Sequence, residues 1–505
     1  MSKLSKNIVY NIGGQGLLLI LSLVAVKYVF NRLGGEALGI IYFTFTLNAI
    51  ICAVMEMGIS STVVREVSAH VKDEPDYIHK LIQTVSLFHW AIYILFAVII
   101  YFGAPFIIEK WINLKSMDTA TAKRVLQILG IAALTALPKS LYASIFRGLQ
   151  RMEFNNIIDV FITGLQQFGI IVILAIGGGL MAVVSWMAIS FLLGMICYLF
   201  SAFYFFSWKS FIPAYHDSVI KKNLGYTSNM MLISVLSMIH MQFDKVIASK
   251  FLSIAVFGYY NFAYGAVSKA TLMTSAIAQA AFPSFSALFK EGGRDCMMPQ
   301  YRKLQDMLCF STVPIFAAVP FAAIPIFRLV FNNEVAKSLL LPITFLAIGF
   351  YMHGTLNVPY FFSLSVGKPE ISVKSNFYAL FIVLPVTALL IYFFGLNGAG
   401  FSWIFYQLFA YSYAIPRICS ECLIIPVSEW YGHILRIFIL ISLSYGLAWL
   451  VLYLNNNYSI FALILAYISA SIVFLIGSYF LISEDFKKVI FSRLNILKVK
   501  FVPQQ

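Results

Sequence analysis

Five cations lie inside long apolar runs: Lys27, Lys139, Lys245, Lys269 and Arg328. A Lys or Arg at the centre of a membrane-crossing helix costs about 2.5–3.5 kcal/mol. Such a residue needs a carboxylate, a wet cavity or an anionic ligand. An ammonium group binds phosphoryl oxygens as a point charge, so the chemistry these residues suggest is the sheltering of an anion. Lys27 and Lys245 lie toward the ends of their runs, where a long side chain also snorkels to the headgroups. Lys269 sits about midway along its run and Lys139 about two-thirds along, where snorkelling is harder. Arg328 closes its run as an interface anchor. Arg147 and Arg151 are four apart, so on one continuous helix they share a face and could receive an anion; plain anchoring at the membrane surface is the competing account. Three carboxylates lie in the runs: Glu56, Asp159 and Asp244. Glu56 has no basic neighbour in sequence, which suits either titration coupled to a proton or sodium ion, or a salt bridge elsewhere. Asp244 directly precedes Lys245. Adjacent residues do not share a helix face, so a direct pair is not expected, and Asp244 could instead meet Lys27 across the two-fold.

No other chemistry has the residues it needs. His89, His240 and His353 stand on separate runs without ligand spacing, so no metal site is expected. Cys419 and Cys422 have the C-x-x-C spacing but no βαβ surroundings, and are read as ordinary thiols near a helix end. The chain has no Walker A loop, no nucleophile elbow and no dinucleotide fingerprint. No cofactor and no catalytic residue is therefore expected, and the chain reads as no enzyme.

The elements that must position these charges are membrane helices. The 505 residues are 61% hydrophobic and only 11% charged, with mean hydropathy +0.86. Soluble chains are about 45–50% apolar and about 25% charged. Aromatics at 16% suit lipid-facing surfaces and interfacial belts. Apolar runs at 8–30, 38–63, 83–104, 125–146, 156–176, 181–206 and 225–249 begin a series of fourteen. The others are 256–284, 305–331, 338–365, 376–395, 399–416, 434–454 and 459–482. The first is too long for a signal-peptide core and is read as a retained span. No gap between runs can hold a domain, since domains start near 50 residues. The net charge of +14 comes from basic residues scattered over loops, which fits the positive-inside rule better than nucleic-acid binding. With the N-terminus in the cytoplasm, inside segments hold 23 basic residues and outside segments 7. Both termini are thus expected in the cytoplasm. The segment 105–124, with Lys110, Lys115, Lys123 and Arg124, breaks the rule.

The chain also matches itself. At an offset of 218, Asn11 meets Asn229, Lys27 meets Lys245 and Tyr42 meets Tyr260, with Gly39 and Gly258 one residue out of step. At 217, Arg151 and Glu153 meet Lys368 and Glu370, Gly178 meets Gly395, and Ser185-Trp186 meets Ser402-Trp403. Six spans is an even number, so the two copies run parallel about an axis normal to the membrane, a frame used by alternating-access transporters. The expected organisation is a bundle at 1–208, a second at 209–420, two extra helices at 421–482 and a basic tail at 483–505. Pro314, Pro320 and Pro325 in the ninth run are candidate hinge points.

Several segments, in this order, resemble the polysaccharide flippase (Wzx-type) branch of the multidrug/oligosaccharidyl-lipid/polysaccharide exporter superfamily. They are NRLGGEALGIIYF, GISSTVVREVSAH, SIFRGLQRMEFNN, MQFDKVIASKFLSIAVFGYYNFAYG and AFPSFSALFKEGG. The resemblance covers roughly residues 5–420. It implies two six-helix bundles around a central cavity whose walls include the first and seventh spans, hence Lys27 and Lys245. It also implies an Arg before the Gly-Gly turn, here Arg32, which could guard the outer mouth. The implied activity is transfer of undecaprenyl-pyrophosphate-linked oligosaccharide across the bacterial cytoplasmic membrane for O-antigen, capsule or exopolysaccharide, beside a polymerase and a chain-length regulator. Coupling to a H+ or Na+ gradient, or to membrane potential, would drive it. A cation-coupled drug or metabolite antiporter of the same superfamily should show an acidic cavity, whereas intramembrane cations here outnumber anions five to three. A peptidoglycan lipid-precursor flippase shares the fourteen spans and the cationic cavity and stays open as an alternative. A membrane glycosyltransferase should carry a large outer loop, and none is present.

Overall fold

Apolar runs of about 20 residues can satisfy their backbone in lipid only as helices, and helices are what form. The computed structural model describes residues 3–56, 58–455, 458–484 and 486–487. Among these the only β feature is an isolated bridge between Asn113 and Ser253. The chain begins with α1 (Lys3–Glu56), α2 (Ile59–His70), α3 (Pro75–Lys110), α4 (Thr119–Ala133), α5 (Ala136–Gly148), α6 (Met152–Ala175) and α7 (Leu180–Ala202). It continues through α8 (Asp217–Phe251), α9 (Ile254–Ser268), α10 (Thr271–Val330), α11 (Asn333–Ser365) and α12 (Glu370–Arg417). It ends with α13 (Val427–Ile441), α14 (Leu447–Leu454) and α15 (Ile460–Leu481).

Among the described residues ten segments are long and apolar enough to cross a membrane, and the chain is a multi-pass membrane protein. Two of the ten hold two expected runs each. Leu18–Glu56, at 39 residues, extends about 58 Å, twice a ~30 Å hydrocarbon core. Glu370–Leu423 is longer still, at 54 residues. Each bends at a glycine: Gly34 at φ +84° and Gly395 at φ +55°. The remaining two expected runs are α8, and α9 continued into the start of α10; charged and small residues lower their hydropathy. All fourteen runs therefore fall on helices.

In α10 the non-helical φ/ψ angles fall at Gly292 and Gly293, and the helix runs on through Pro314, Pro320 and Pro325. Side chains close several helix starts: Asp118 accepts from the Thr121 amide, Asn332 from that of Val335 and Ser459 from that of Ala462.

Packing divides the chain into two compact units, residues 1–261 and 262–505. In the first unit α8, which the repeat assigns to the second copy, packs on α1 and α2. A core of Leu81, Ile82, Leu141, Tyr142, Ile145 and Phe146 joins α3 to α5. The crossing of α1 and α9 is built on glycine. A Cβ on Gly39 would lie 1.9 Å from the Ile254 carbonyl oxygen, and one on Gly258 would lie 2.7 Å from Gly39 Cα. The repeat-related glycines thus touch each other.

The segment after α3 is tied to α1. The buried Glu36 carboxylate accepts the backbone N–H groups of Lys115 at 2.7 Å, Ser116 at 3.0 Å and Met117 at 2.5 Å. Lys250 donates to the Lys110 carbonyl at 2.6 Å and lies over the Trp111 ring. Specific contacts hold this basic segment, which charge counting alone does not explain.

Candidate functional site

The two repeat-related lysines differ. Lys245, on α8, is 3% exposed. Its Nζ folds back one turn to the Met241 carbonyl at 2.6 Å and reaches Asp244 Oδ1 at 3.5 Å. Asp244 is 4% exposed and accepts from the Tyr260 hydroxyl at 2.6 Å. Lys27, on α1, is half-buried and has no ion pair or hydrogen bond among the described residues. Lys27 makes no such contact with Asp244 among the described residues, and the Asp244–Lys245 contact, not expected, is present at 3.5 Å. The reason is reach: the two Cβ atoms leave the helix in different directions, but the four-carbon lysine stem wraps around it. The sequence at offset 218 shows why only one lysine is held. The residue matching Asp244 is Val26, so the first copy lacks the carboxylate.

Lys139 and Asp159 form an ion pair at 2.7 Å between α5 and α6, and the Lys139 ammonium lies 4.8 Å from the centre of the Tyr198 ring. The pair is partly exposed, which leaves Lys139 with a partner and less need of a ligand. Arg147 and Arg151 do not share a helix face. Helix α5 stops at Gly148, Gln150 adopts φ +58°, and Arg151 precedes the first residue of α6. Arg147 donates to Ser144 Oγ at 2.8 Å, and Arg151 pairs with Glu153 at 3.2 Å.

Lys269 sits in the short turn between α9 and α10, about midway along the expected run 256–284. It is exposed and without an ion-pair or hydrogen-bond partner among the described residues. The carbonyl end of α9 just before it carries partial negative charge, which favours a cation there. Arg32 is exposed near the Gly34 bend, and Glu56 is half-buried at the end of α1; neither has an ion-pair partner among the described residues. Arg328 donates to Asn333 Oδ1 at 2.8 Å across the α10–α11 turn.

Sequence reading missed Glu66. This α2 residue is 3% exposed. It accepts from the Tyr77 hydroxyl at 2.9 Å and from Arg65 Nε at 2.8 Å, with His70 Nδ1 at 3.4 Å. Arg65 and Tyr77 both join Asn223 of α8, at 2.9 Å and 2.8 Å. Burial pushes the Glu66 carboxyl pKa up, but the hydrogen bonds from Tyr77 and Arg65 and the Arg65 and His70 charges outweigh it and leave it lowered. The signal lay in the RE pair of GISSTVVREVSAH, but no neighbouring residue in sequence shows that the carboxylate is buried. Glu66 ties α2, α3 and α8 together as a structural node.

His89 is buried with neither ring nitrogen bonded. Cys419 and Cys422 are buried free thiols, and no group of three metal-ligating side chains occurs among the described residues.

These features define a class: a polytopic helical membrane protein with a cation, Lys27, in a span and without a partner among the described residues, and with a glycine-built crossing. The family model described as "Polysaccharide biosynthesis protein" matches residues 4–289, and the chain belongs to that family. The solved structure titled lipid II flippase MurJ, inward closed conformation, is similar in fold: 16% identical, TM-score 0.71, covering 95% of this chain and 100% of that one. An inward-facing multidrug resistance MATE family transporter of the MOP superfamily is 14% identical at TM-score 0.66, covering 80% and 95%. A MOP superfamily transporter from Pyrococcus furiosus is 16% identical at TM-score 0.55, covering 81% and 92%. At these identities the likeness is one of fold. No curated protein sequence matches the chain significantly.

Proposed function

We propose that this protein is a flippase for lipid-linked oligosaccharide in the biosynthesis of a bacterial surface polysaccharide. Its cargo carries an undecaprenyl-pyrophosphate anchor, and its place is the cytoplasmic membrane with both termini inside. The sugar and the pyrophosphate cannot cross hydrocarbon unaided. The observation that carries the reading is Lys27, a cation within a span and without a carboxylate partner among the described residues, in a chain of the polysaccharide biosynthesis family. Its repeat counterpart is already neutralised by Asp244. Lys27 is therefore the pyrophosphate-ligand candidate of the first unit, and Lys269, between α9 and α10 and without a partner among the described residues, is a separate candidate in the second. Arg32, Arg147 and Arg151 are exposed at helix ends, where an anion arrives or leaves. Alternating access of the two halves exchanges the sides.

Lys139, Lys245, Asp159 and Asp244 hold helices together in this reading. Glu56 is the candidate coupling carboxylate for H+ or Na+. An inside-negative potential adds about 2.3 kcal/mol per charge per 100 mV to outward movement of an anion. A polymerase and a chain-length regulator take up the product.

A strain lacking the protein, and any redundant flippase, should accumulate lipid-linked repeat units on the cytoplasmic leaflet and lose surface polymer. Wild-type protein should restore the polymer, and the Lys27→Ala variant should not, at equal protein level. Normal surface polymer in the deleted strain removes the assignment.

A further inference from the structure

The hairpin of α8 and α9 holds a closed charge site. Asp244, Lys245 and Tyr260 are all buried. The Asp244 carboxylate accepts the Tyr260 hydroxyl on Oδ2 at 2.6 Å and meets the Lys245 ammonium on Oδ1 at 3.5 Å. One anionic group thus answers a cation from one helix and a hydroxyl from the next. Helix α8 ends at Phe251, and the chain turns at Leu252 into α9, which brings Tyr260 back within reach.

The first copy repeats this layout with one part exchanged. At the offset of 218, Val26, Lys27 and Tyr42 stand where Asp244, Lys245 and Tyr260 stand in the second copy. The interval from 26 to 42 equals that from 244 to 260, and Gly34, at φ +84°, bends α1 at the position that matches Leu252. The cation and the hydroxyl are both kept, and an isopropyl group stands in place of the carboxylate between them. Exposure changes with it. Val26, Lys27 and Tyr42 are each partly exposed, whereas their three counterparts are sealed. Neither the Lys27 ammonium nor the Tyr42 hydroxyl has a hydrogen-bond or ion-pair partner among the described residues. The Tyr42 hydroxyl, unlike that of Tyr301, also keeps accessible surface. Snorkelling would satisfy the ammonium, but not a hydroxyl beyond the bend. Two donors without an acceptor are complementary to an anionic oxygen supplied from outside the protein.

We infer that Lys27 and Tyr42 form an open copy of the Asp244 site, in which a phosphoryl oxygen of the lipid-linked cargo takes the place of the carboxylate, and that Tyr42 is a ligand residue beside Lys27. Val26 keeps this site open, since a carboxylate there would close it from within, as Asp244 does in the second copy. The identity of the anion rests on the flippase reading; the pairing of the two donors rests on the repeat. All six residues lie in the first unit.

The test is binding of undecaprenyl pyrophosphate, without sugar, to the purified full chain in detergent, with phosphatidylglycerol as a second probe. Wild type should bind undecaprenyl pyrophosphate. Tyr42→Phe keeps the ring and removes the hydroxyl, and should weaken binding about tenfold at an unchanged melting temperature. Val26→Asp should weaken it at least about tenfold, while Val26→Asn, of similar size and no charge, should stay within about threefold of wild type. The comparison of these two needs no Tyr42 variant, so it decides the matter even if Tyr42→Phe fails to fold. Unchanged binding in a folded Tyr42→Phe, or equal binding by Val26→Asp and Val26→Asn, overturns the inference. So does phosphatidylglycerol binding as tight as that of undecaprenyl pyrophosphate and lost in the same variants, which would make this a site for bilayer phospholipid. If Lys27→Ala loses binding and Tyr42→Phe and Val26→Asp do not, the inference falls and the flippase reading stands. If wild type does not bind, or Lys27→Ala binds as wild type does, the reading of Lys27 falls and the inference with it.

Discussion

Lys27 and Lys245 were identical in the sequence argument and are opposites in the structure. What separates them is one neighbour, Asp244 in one copy and Val26 in the other. Their variants should therefore fail in different ways. Lys27→Ala should leave folding intact and reduce export about tenfold or more, as loss of a charge-assisted contact of about 1.5–3 kcal/mol implies; Lys27→Arg should restore it. Lys245→Ala takes the ammonium away from a buried carboxylate that Tyr260 still holds and should destabilise the fold by about 3 kcal/mol, seen as a lower melting temperature and less protein in the membrane. Equal stability of the two alanine variants would contradict the distinction. Glu66 gives a pH test. Its folded-state pKa is lowered, so its stabilisation is complete above the ordinary carboxylate value of 4.5 and is lost as pH falls through the folded value. The melting-temperature gap between wild type and Glu66→Gln should accordingly shrink below pH 4.5 and hold steady above it. A gap that widens on acidification would show that the carboxylate is not held ionised.

Two glycine devices shape the helices. Gly34 has open space around a Cβ but φ +84°, so Gly34→Ala should cost about 1–2 kcal/mol through backbone strain alone. Gly103 also has open space but lies within α3, and Gly103→Ala should be neutral or slightly stabilising. Melting temperatures of the two variants check the contrast. Gly39→Leu should be worse than either, since no side chain fits against Ile254 and Gly258. The helices themselves were legible because a span must be apolar for about 20 residues, and this chain has little else. Their bends were not. Three prolines in α10 drew attention, yet the backbone turns at Gly292–Gly293, where φ reaches +70°. Periodicity shows which residues face lipid, but a bend depends on which backbone position tolerates positive φ. The end of α5 between Arg147 and Arg151 was hidden for the same reason, since Gln150 carries the turn. Partners such as Met241 for Lys245 and Asp159 for Lys139 required side-chain reach in three dimensions, and Glu66 required the packing of three helices.

For the whole molecule the central claim is that a family member with this fold moves an anionic, sugar-bearing lipid from one leaflet to the other. The most direct measurement uses vesicles holding the purified chain and an undecaprenyl-pyrophosphate oligosaccharide, with a lectin or glycosidase outside that reaches only outward-facing sugar. Wild-type protein should expose the inner-leaflet pool within the assay time, faster with the potential set to favour anion movement toward the outer leaflet. Vesicles with Lys27→Ala should stay near the protein-free rate. Accessibility in wild-type vesicles no greater than in protein-free ones would contradict the account.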